Sequence, residues 1–295
     1  MTVLLVVAAI ALFVLQSVSL KLLRADRLCD KLLANGAFAL LSGICMALVG
    51  LLVPSLGAVS LPTLLWGLAF GVLFALTILF YNLAISAGPL SYTAFYFSAS
   101  MLVPTLAGIL FFQEAARPSL AGAIVIFLAA FFFLNVTPGR AKVPREPVNK
   151  KWILLCVLTF CCNGALAVIQ KCHQTALGST ESGGLMLVGF LTAAGCYLLG
   201  YLATRKRAPK GPSPAALLRG SWLPVCLLAA GSLGGNLLLT YLAGVLPSSY
   251  LFPLVQGSII VGVTLVSTFA FREKLSLWGR LGLGLGVCAI VLINL

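Results

Sequence analysis

The fold class this sequence predicts is an all-α integral membrane protein, with about ten transmembrane helices arranged as two inverted five-helix repeats. Three observations predict it: a composition suited to lipid, apolar runs of membrane length, and one motif set written twice. Hydrophobic residues are 61% of the chain and charged residues 8%, and the mean hydropathy is +1.12. A soluble domain has about 45–50% apolar and about 25% charged residues. So few charges cannot cover a water-exposed surface, so lipid is the solvent. The doubled motif opens with Pro89-Leu90-Ser91-Tyr92, has Ser100 further in, and ends at Phe111-Phe112-Gln113-Glu114. It returns as Pro247-Ser248-Ser249-Tyr250, with Ser258, ending at Phe271-Arg272-Glu273, an offset of roughly 158–159 residues.

A spanning helix needs roughly 20 mostly apolar residues. The runs that qualify are 2–20, 32–53, 61–86, 89–112, 118–136, 151–172, 183–204, 222–245, 247–271 and 275–295. The first lacks a basic leader and a small-residue cleavage site, and it is too long for a signal-peptide core, so it is expected to stay as a span. Spans three and four meet at Ala87-Gly88-Pro89, and eight and nine at Leu246-Pro247. Joins this tight require hairpins. The basic, Pro-containing stretch 137–150 separates a first repeat, 1–136, from a second, 151–295. A unit of five spans enters on one side of the membrane and leaves on the other, so its copy is inverted.

The net charge of +13 does not point to nucleic acid. All the basic residues except Arg117 and Lys171 fall at the odd-numbered loops, among them Lys21 and Arg24 between spans one and two and Arg205 and Lys206 between spans seven and eight. The positive-inside rule then puts those loops in the cytoplasm and both termini outside. Nine cysteines lie mostly within spans, without Cys-x-x-Cys or Cys/His ligand spacing, and read as buried thiols rather than a metal set. No metal or cofactor is expected.

Each half carries a Glu before its last helix and a Gly soon after, Glu114 with Gly122 and Glu273 with Gly282. The second half opens with Asn163-Gly164 and then Gln170-Lys171-Cys172-His173-Gln174. With the ten spans and the duplication, this pattern resembles the drug/metabolite transporter superfamily, EamA type, over the whole chain, in a branch common in anaerobic Gram-positive bacteria. The resemblance implies export or exchange of small metabolites, amino acids or drugs, through a cavity lined by the first, third and fourth helices of each half. The loop charges depart from it: many members keep their termini inside.

Polar groups are costly in hydrocarbon, so those within spans face protein or water. The candidate substrate-binding residues are Gln16, Asn82, Tyr92, Tyr96, Ser100, Asn163, Gln170, Lys171, Asn236, Tyr241, Tyr250, Gln256 and Ser258. Rings beside amides and hydroxyls suit an organic solute with one apolar and one polar side. The competing explanation is plain interhelical hydrogen bonding, at about 0.6 kcal/mol each; Tyr92 and Tyr250 can also anchor at the interface. Lys171 reads as a cationic partner for an anion or as a snorkelling side chain. His173, the one histidine, is expected to be solvated at the interface. Glu114 with Arg117, and Arg272 with Glu273, are expected as structural ion pairs, each Glu also able to favour the start of the next helix. No carboxylate lies mid-span, which disfavours a proton-driven exporter of lipophilic cations.

The expected function is a secondary transporter of a small organic metabolite, amino-acid-like and neutral or anionic, working by alternating access. The alternatives are a multidrug exporter and a non-transporting membrane scaffold or sensor. A lipid-acting enzyme would need an acid/base or metal set at an interface, and the sequence offers none. The expected setting is a bacterial plasma membrane, multi-pass, as a monomer or homodimer, with solute and bilayer lipid as partners. The sequence does not specify the coupling ion.

Overall fold

The computed structural model describes residues 2–23, 25, 27–87, 93, 96–97, 99–115, 118–135, 150–206, 211, 213–269 and 277–293. Regular structure among them is helical. In chain order the helices are α1 Thr2–Leu22, α2 Leu28–Leu52, α3 Pro54–Gly57, α4 Leu61–Ala87, α5 Leu102–Phe111, α6 Pro118–Asn135, α7 Lys150–Ala176, α8 Ser182–Arg205, α9 Pro214–Gly220, α10 Trp222–Val245, α11 Ser248–Phe269 and α12 Leu277–Ile293. Seven of these are long and apolar enough to cross a membrane: α1, α2, α4, α7, α8, α10 and α11. Shorter apolar helices cover Leu102–Phe111, Pro118–Phe133 and Leu277–Ile293. The protein is thus an all-helical, multi-pass membrane chain. Tyr92, Arg117, Arg272 and Glu273 lie outside the described residues, as do the 137–149 linker and the side chain of Lys21.

The chain divides into two compact units that each draw on both ends of the sequence. One comprises Met1–Ala75 and Ile169–Val245, the other Leu76–Val168 and Leu246–Leu295. Helices α4 and α7 therefore contribute to both. In the first unit α2 packs on α8, and α1 packs on α10. Its centre is aromatic: Phe38, Phe70, Phe74, Phe190 and Tyr197 are buried, and their rings meet stacked, edge-on or, for Phe38 and Tyr197, tilted. Close crossing here needs small residues. A Cβ on Gly71 of α4 would lie 2.4 Å from the Gly189 carbonyl oxygen, and one on Gly231 of α10 would lie 2.6 Å from the Leu12 carbonyl oxygen of α1. In the second unit α6 packs on α12, and α11 packs on α5 and α12.

Span four of the sequence is not one continuous helix. Residues 96–97 and 99 are helical, Ser100 and Met101 form a turn, and α5 starts at Leu102. The cause is Pro104. A proline has no N–H to give, and its ring collides with the carbonyl four residues back, here Ser100. The backbone tightens instead: the Val103 N–H donates to the Ser100 carbonyl at 3.0 Å, three residues back. Pro253, by contrast, sits inside the continuous helix α11.

At its other end α5 closes with Gln113 in the left-handed region, φ 53°. The Glu114 N–H then donates to the Gly108 carbonyl at 3.0 Å, which folds the Glu114 side chain back along the helix. Its carboxylate accepts from the Ser248 N–H at 2.7 Å and the Ser249 N–H at 2.8 Å, the first donors of α11. Gly108 leaves the space for it, since a Cβ there would lie 2.3 Å from Oε2 of Glu114.

Candidate functional site

The broken segment in the second unit gathers several of the candidate residues. Ser100 is buried at 1% exposure, and its hydroxyl donates to the Phe97 carbonyl at 2.6 Å. With that proton committed, the Ser100 oxygen accepts from Nδ2 of Asn163 on α7, also at 2.6 Å. Nδ2 lies 3.4 Å from the Phe97 carbonyl as well. Both amide hydrogens of Asn163 are therefore spent on this turn, which fixes the amide orientation. Oδ1 of this half-buried side chain accepts nothing from the described residues and remains an open acceptor. The two segments come this close because α7 has Gly164 here, where a Cβ would lie 2.4 Å from Cβ of Val103.

Aromatic rings border the turn. Tyr81 on α4 lies against Phe97 with centroids 5.0 Å apart. Tyr96 meets Trp152 of α7 edge-on at 6.5 Å, and the Trp152 indole N–H donates to Oγ1 of Thr93 at 3.0 Å. Tyr96 and Trp152 pack on a small core of Ala84, Leu155 and Cys156. Asn82, Tyr250, Gln256 and Ser258 belong to the same unit and are half-buried. The Gln256 and Ser258 side chains make no hydrogen bond to described residues.

A second cluster lies in the first unit. Gln170, 2% exposed, donates through Nε2 to Oγ1 of Thr240 at 2.9 Å and lies 3.4 Å from Oδ1 of Asn236. Asn236 donates on to the Ser232 carbonyl at 2.9 Å. Ser232, Asn236 and Thr240 follow one another at four-residue spacing along α10 and form a buried polar stripe. Gln16 on α1 and Lys171 on α7 are half-buried in this unit. Tyr241 is 39% exposed and does not join the cluster.

Sequence reasoning missed Thr93, Trp152 and Thr240, because a threonine or tryptophan in an apolar run gives no signal of what it faces. It also misjudged His173, which is not solvated: the ring is fully buried at 0% exposure, with Nε2 3.0 Å from Oγ1 of Thr63 and Nδ1 2.8 Å from Nε2 of Gln174. The neighbouring Glu181 carboxylate is held below its ordinary value by the Thr63 hydroxyl and by the Ser60 N–H and hydroxyl.

No family model matches the sequence, and neither does any curated protein. Solved structures do match. One, described only as the crystal structure of a protein, superposes with a TM-score of 0.76 at 17% identity, covering 99% of this chain and 95% of its own. The chain therefore has the fold of that protein over nearly its full length.

Proposed function

We propose that the protein is a secondary transporter that moves a small organic metabolite across the cytoplasmic membrane by alternating access. In this reading ten spans form two inverted five-helix repeats of the drug/metabolite transporter type, and amides and hydroxyls recognise the solute at mid-membrane. The observation that carries it is the interrupted helix at Ser100–Met101 with Asn163 bonded across it. Met101 keeps helical angles, so the backbone there tightens rather than unwinds. A proline-disturbed turn in a membrane helix is tolerated where neighbouring side chains or a wet cavity take up its polar groups, and interrupted helices mark the binding sites of secondary transporters. The open Oδ1 of Asn163 suits an N–H donor on the solute, and the nearby rings of Tyr96 and Tyr81 suit an apolar portion. That combination fits an amino-acid-like molecule.

The test is flux in proteoliposomes against a panel of amino acids and small carboxylates. The expected result is saturable counterflow for at least one compound, reduced about tenfold or more by Asn163→Ala, which amounts to one good hydrogen bond. Saturable flux that is unchanged in both Asn163→Ala and Ser100→Ala would remove the site. No flux for any compound, from protein shown to be folded, would remove the function.

A further inference from the structure

The junction of α4, α7 and α8 holds a hydrogen-bonded chain that the proposed transport site does not use. All its members belong to the first compact unit: Ser60, Thr63, His173, Gln174, Thr180, Glu181 and Ser182. His173 and Gln174 are fully buried, as is Thr63.

Every proton in the chain has an assignable direction. Glu181 accepts from the Ser60 N–H at 3.0 Å and the Ser60 hydroxyl at 2.8 Å, and from the Thr63 hydroxyl. Thr63 has then given its only proton away, so its oxygen must accept from His173, which makes Nε2 the protonated ring nitrogen. At the other end Gln174 Nε2 lies 3.2 Å from the Thr180 carbonyl, which can only accept. That contact fixes Nε2 as the amide nitrogen, and its second hydrogen points at Nδ1 of His173, 2.8 Å away. Oε1 of Gln174 accepts from the Ser182 hydroxyl at 3.0 Å. The neutral imidazole is thus matched on both sides. A second ring proton has nowhere to go, because Nδ1–H would confront an N–H of Gln174. Turning the amide over would relieve that clash but would aim a carbonyl at the Thr180 carbonyl.

The turn that this chain holds is strained. Gly178, Ser179 and Glu181 have φ of 60°, 63° and 56°. For Ser and Glu the left-handed region is strained, because Cβ comes too close to the following carbonyl oxygen. The turn is kept in place by the bonds of Gln174 and Glu181, by the Ser179 hydroxyl on the Gly244 carbonyl at 3.2 Å, and by Gly183 and Gly184, whose Cβ positions would lie 2.1 Å from the Leu56 and Ala58 carbonyl oxygens. Among the described residues, Glu181 is the other ionisable group in the hydrogen-bonded chain besides His173. Lys171 and Cys172 are half-buried on the ring's own helix, and Tyr241 on α10 is exposed.

We propose that His173 is a proton-binding site, and that a proton taken up there breaks the Gln174 bonds to Thr180 and Ser182 and releases the 177–181 turn from the end of α7. This goes beyond the transport reading and does not depend on it. The chain has one histidine, so imidazole labelling gives a single nuclear magnetic resonance signal. The experiment follows that signal and the hydrogen exchange of the 177–182 backbone over pH 5–8, on the full chain in detergent, with exchange corrected for its intrinsic pH dependence. The expected result is the Nε2–H tautomer at high pH, with at least tenfold faster exchange of the turn on acidification and the same midpoint in both readouts. His173→Gln, which cannot gain a proton, should abolish the acid step. An Nδ1–H tautomer, a turn that stays protected while the ring titrates, or an acid step that persists in His173→Gln would each overturn the proposal. Should His173→Gln fail to fold, coincidence of the two wild-type midpoints decides alone.

Discussion

Replacing Glu114 with alanine strips two donors at the start of α11 of their acceptor. The bonds from the Ser248 and Ser249 N–H groups, at 2.7 and 2.8 Å, have the short lengths of charge-assisted hydrogen bonds. Loss of a helix N-cap costs about 0.5–2 kcal/mol, and the carboxylate adds the attraction of an anion for the helix N-terminus, about 0.3–1 kcal/mol. The side chain is half-buried, so water replaces the lost acceptor only in part. The expected loss is about 2 kcal/mol, or roughly 4–8 °C in Tm at about 2–4 °C per kcal/mol. Cys156 lies in the same unit at 0% exposure, while Cys161, Cys226 and Cys288 are exposed, so thiol labelling resolved at Cys156 by peptide mass spectrometry reports the unfolding. Gly108→Ala should act on the same contact, because its Cβ would displace the carboxylate. The two changes should therefore be non-additive, with Gly108→Ala costing at least about 1 kcal/mol less in the Glu114→Ala background. A Glu114→Ala protein within about 0.5 kcal/mol of wild type, or strict additivity of the pair, would refute the capping argument.

Other perturbations follow the same physics. The Tyr197 hydroxyl is fully buried with no partner among the described residues; Tyr197→Phe should stabilise the protein by about 1 kcal/mol, and a comparable loss on thermal unfolding would show that the hydroxyl is bonded. Glu181 has its carboxyl held below the ordinary value by Thr63 and Ser60. Its contribution to stability is therefore fully present at neutral pH and fades as the pH falls through and below the ordinary carboxylate range. Glu181→Gln should flatten that acid limb of a stability–pH curve, and an unchanged limb would mean that other carboxylates set it.

The helical class was legible because apolar run length is a local property, and lipid leaves the backbone few alternatives. The break at Ser100 was half legible: Pro104 stands in the sequence, but the turn it forces gains meaning only from Asn163, 63 positions away. Asn163, Gln170 and Asn236 were identifiable as groups that must find polar surroundings; their partners were not. Glu114 shows the limit most clearly. Its sequence neighbours offered Arg117, which lies outside the described residues, and the start of the following helix; they gave no sign of Ser248, 134 positions further on, whose N–H the carboxylate accepts. His173 was misjudged for the same reason, since Thr63 lies 110 positions away. The short helix α9 was readable in retrospect: Ser213 caps it by accepting from the Ala216 N–H, with Pro214 in the first turn.

The chain has six Asp and Glu residues, and the three among the described residues lie at the starts of membrane-length helices, where two of them accept backbone N–H groups. Glu114 receives the first N–H groups of α11, and Glu181 binds Ser60 just ahead of α4. Asp30, in the first turn of α2, takes a two-pronged bond at 2.7 Å from Arg27, the residue that precedes that helix. A helix start in or near hydrocarbon has orphan donors that water reaches poorly, and an anion satisfies them better than any neutral group. Carboxylates committed in this way cannot also sit mid-span to attract cations. In the proposed transporter, recognition in the apolar interior then falls to amides and hydroxyls, which hold their protons in fixed directions and discriminate by donor and acceptor pattern rather than by charge. Moving one acid to the interior, as in Asn163→Asp, should accordingly change the charge of the solute that is favoured and not merely weaken its binding; unchanged selectivity with lower affinity would mean that Asn163 does not face the solute.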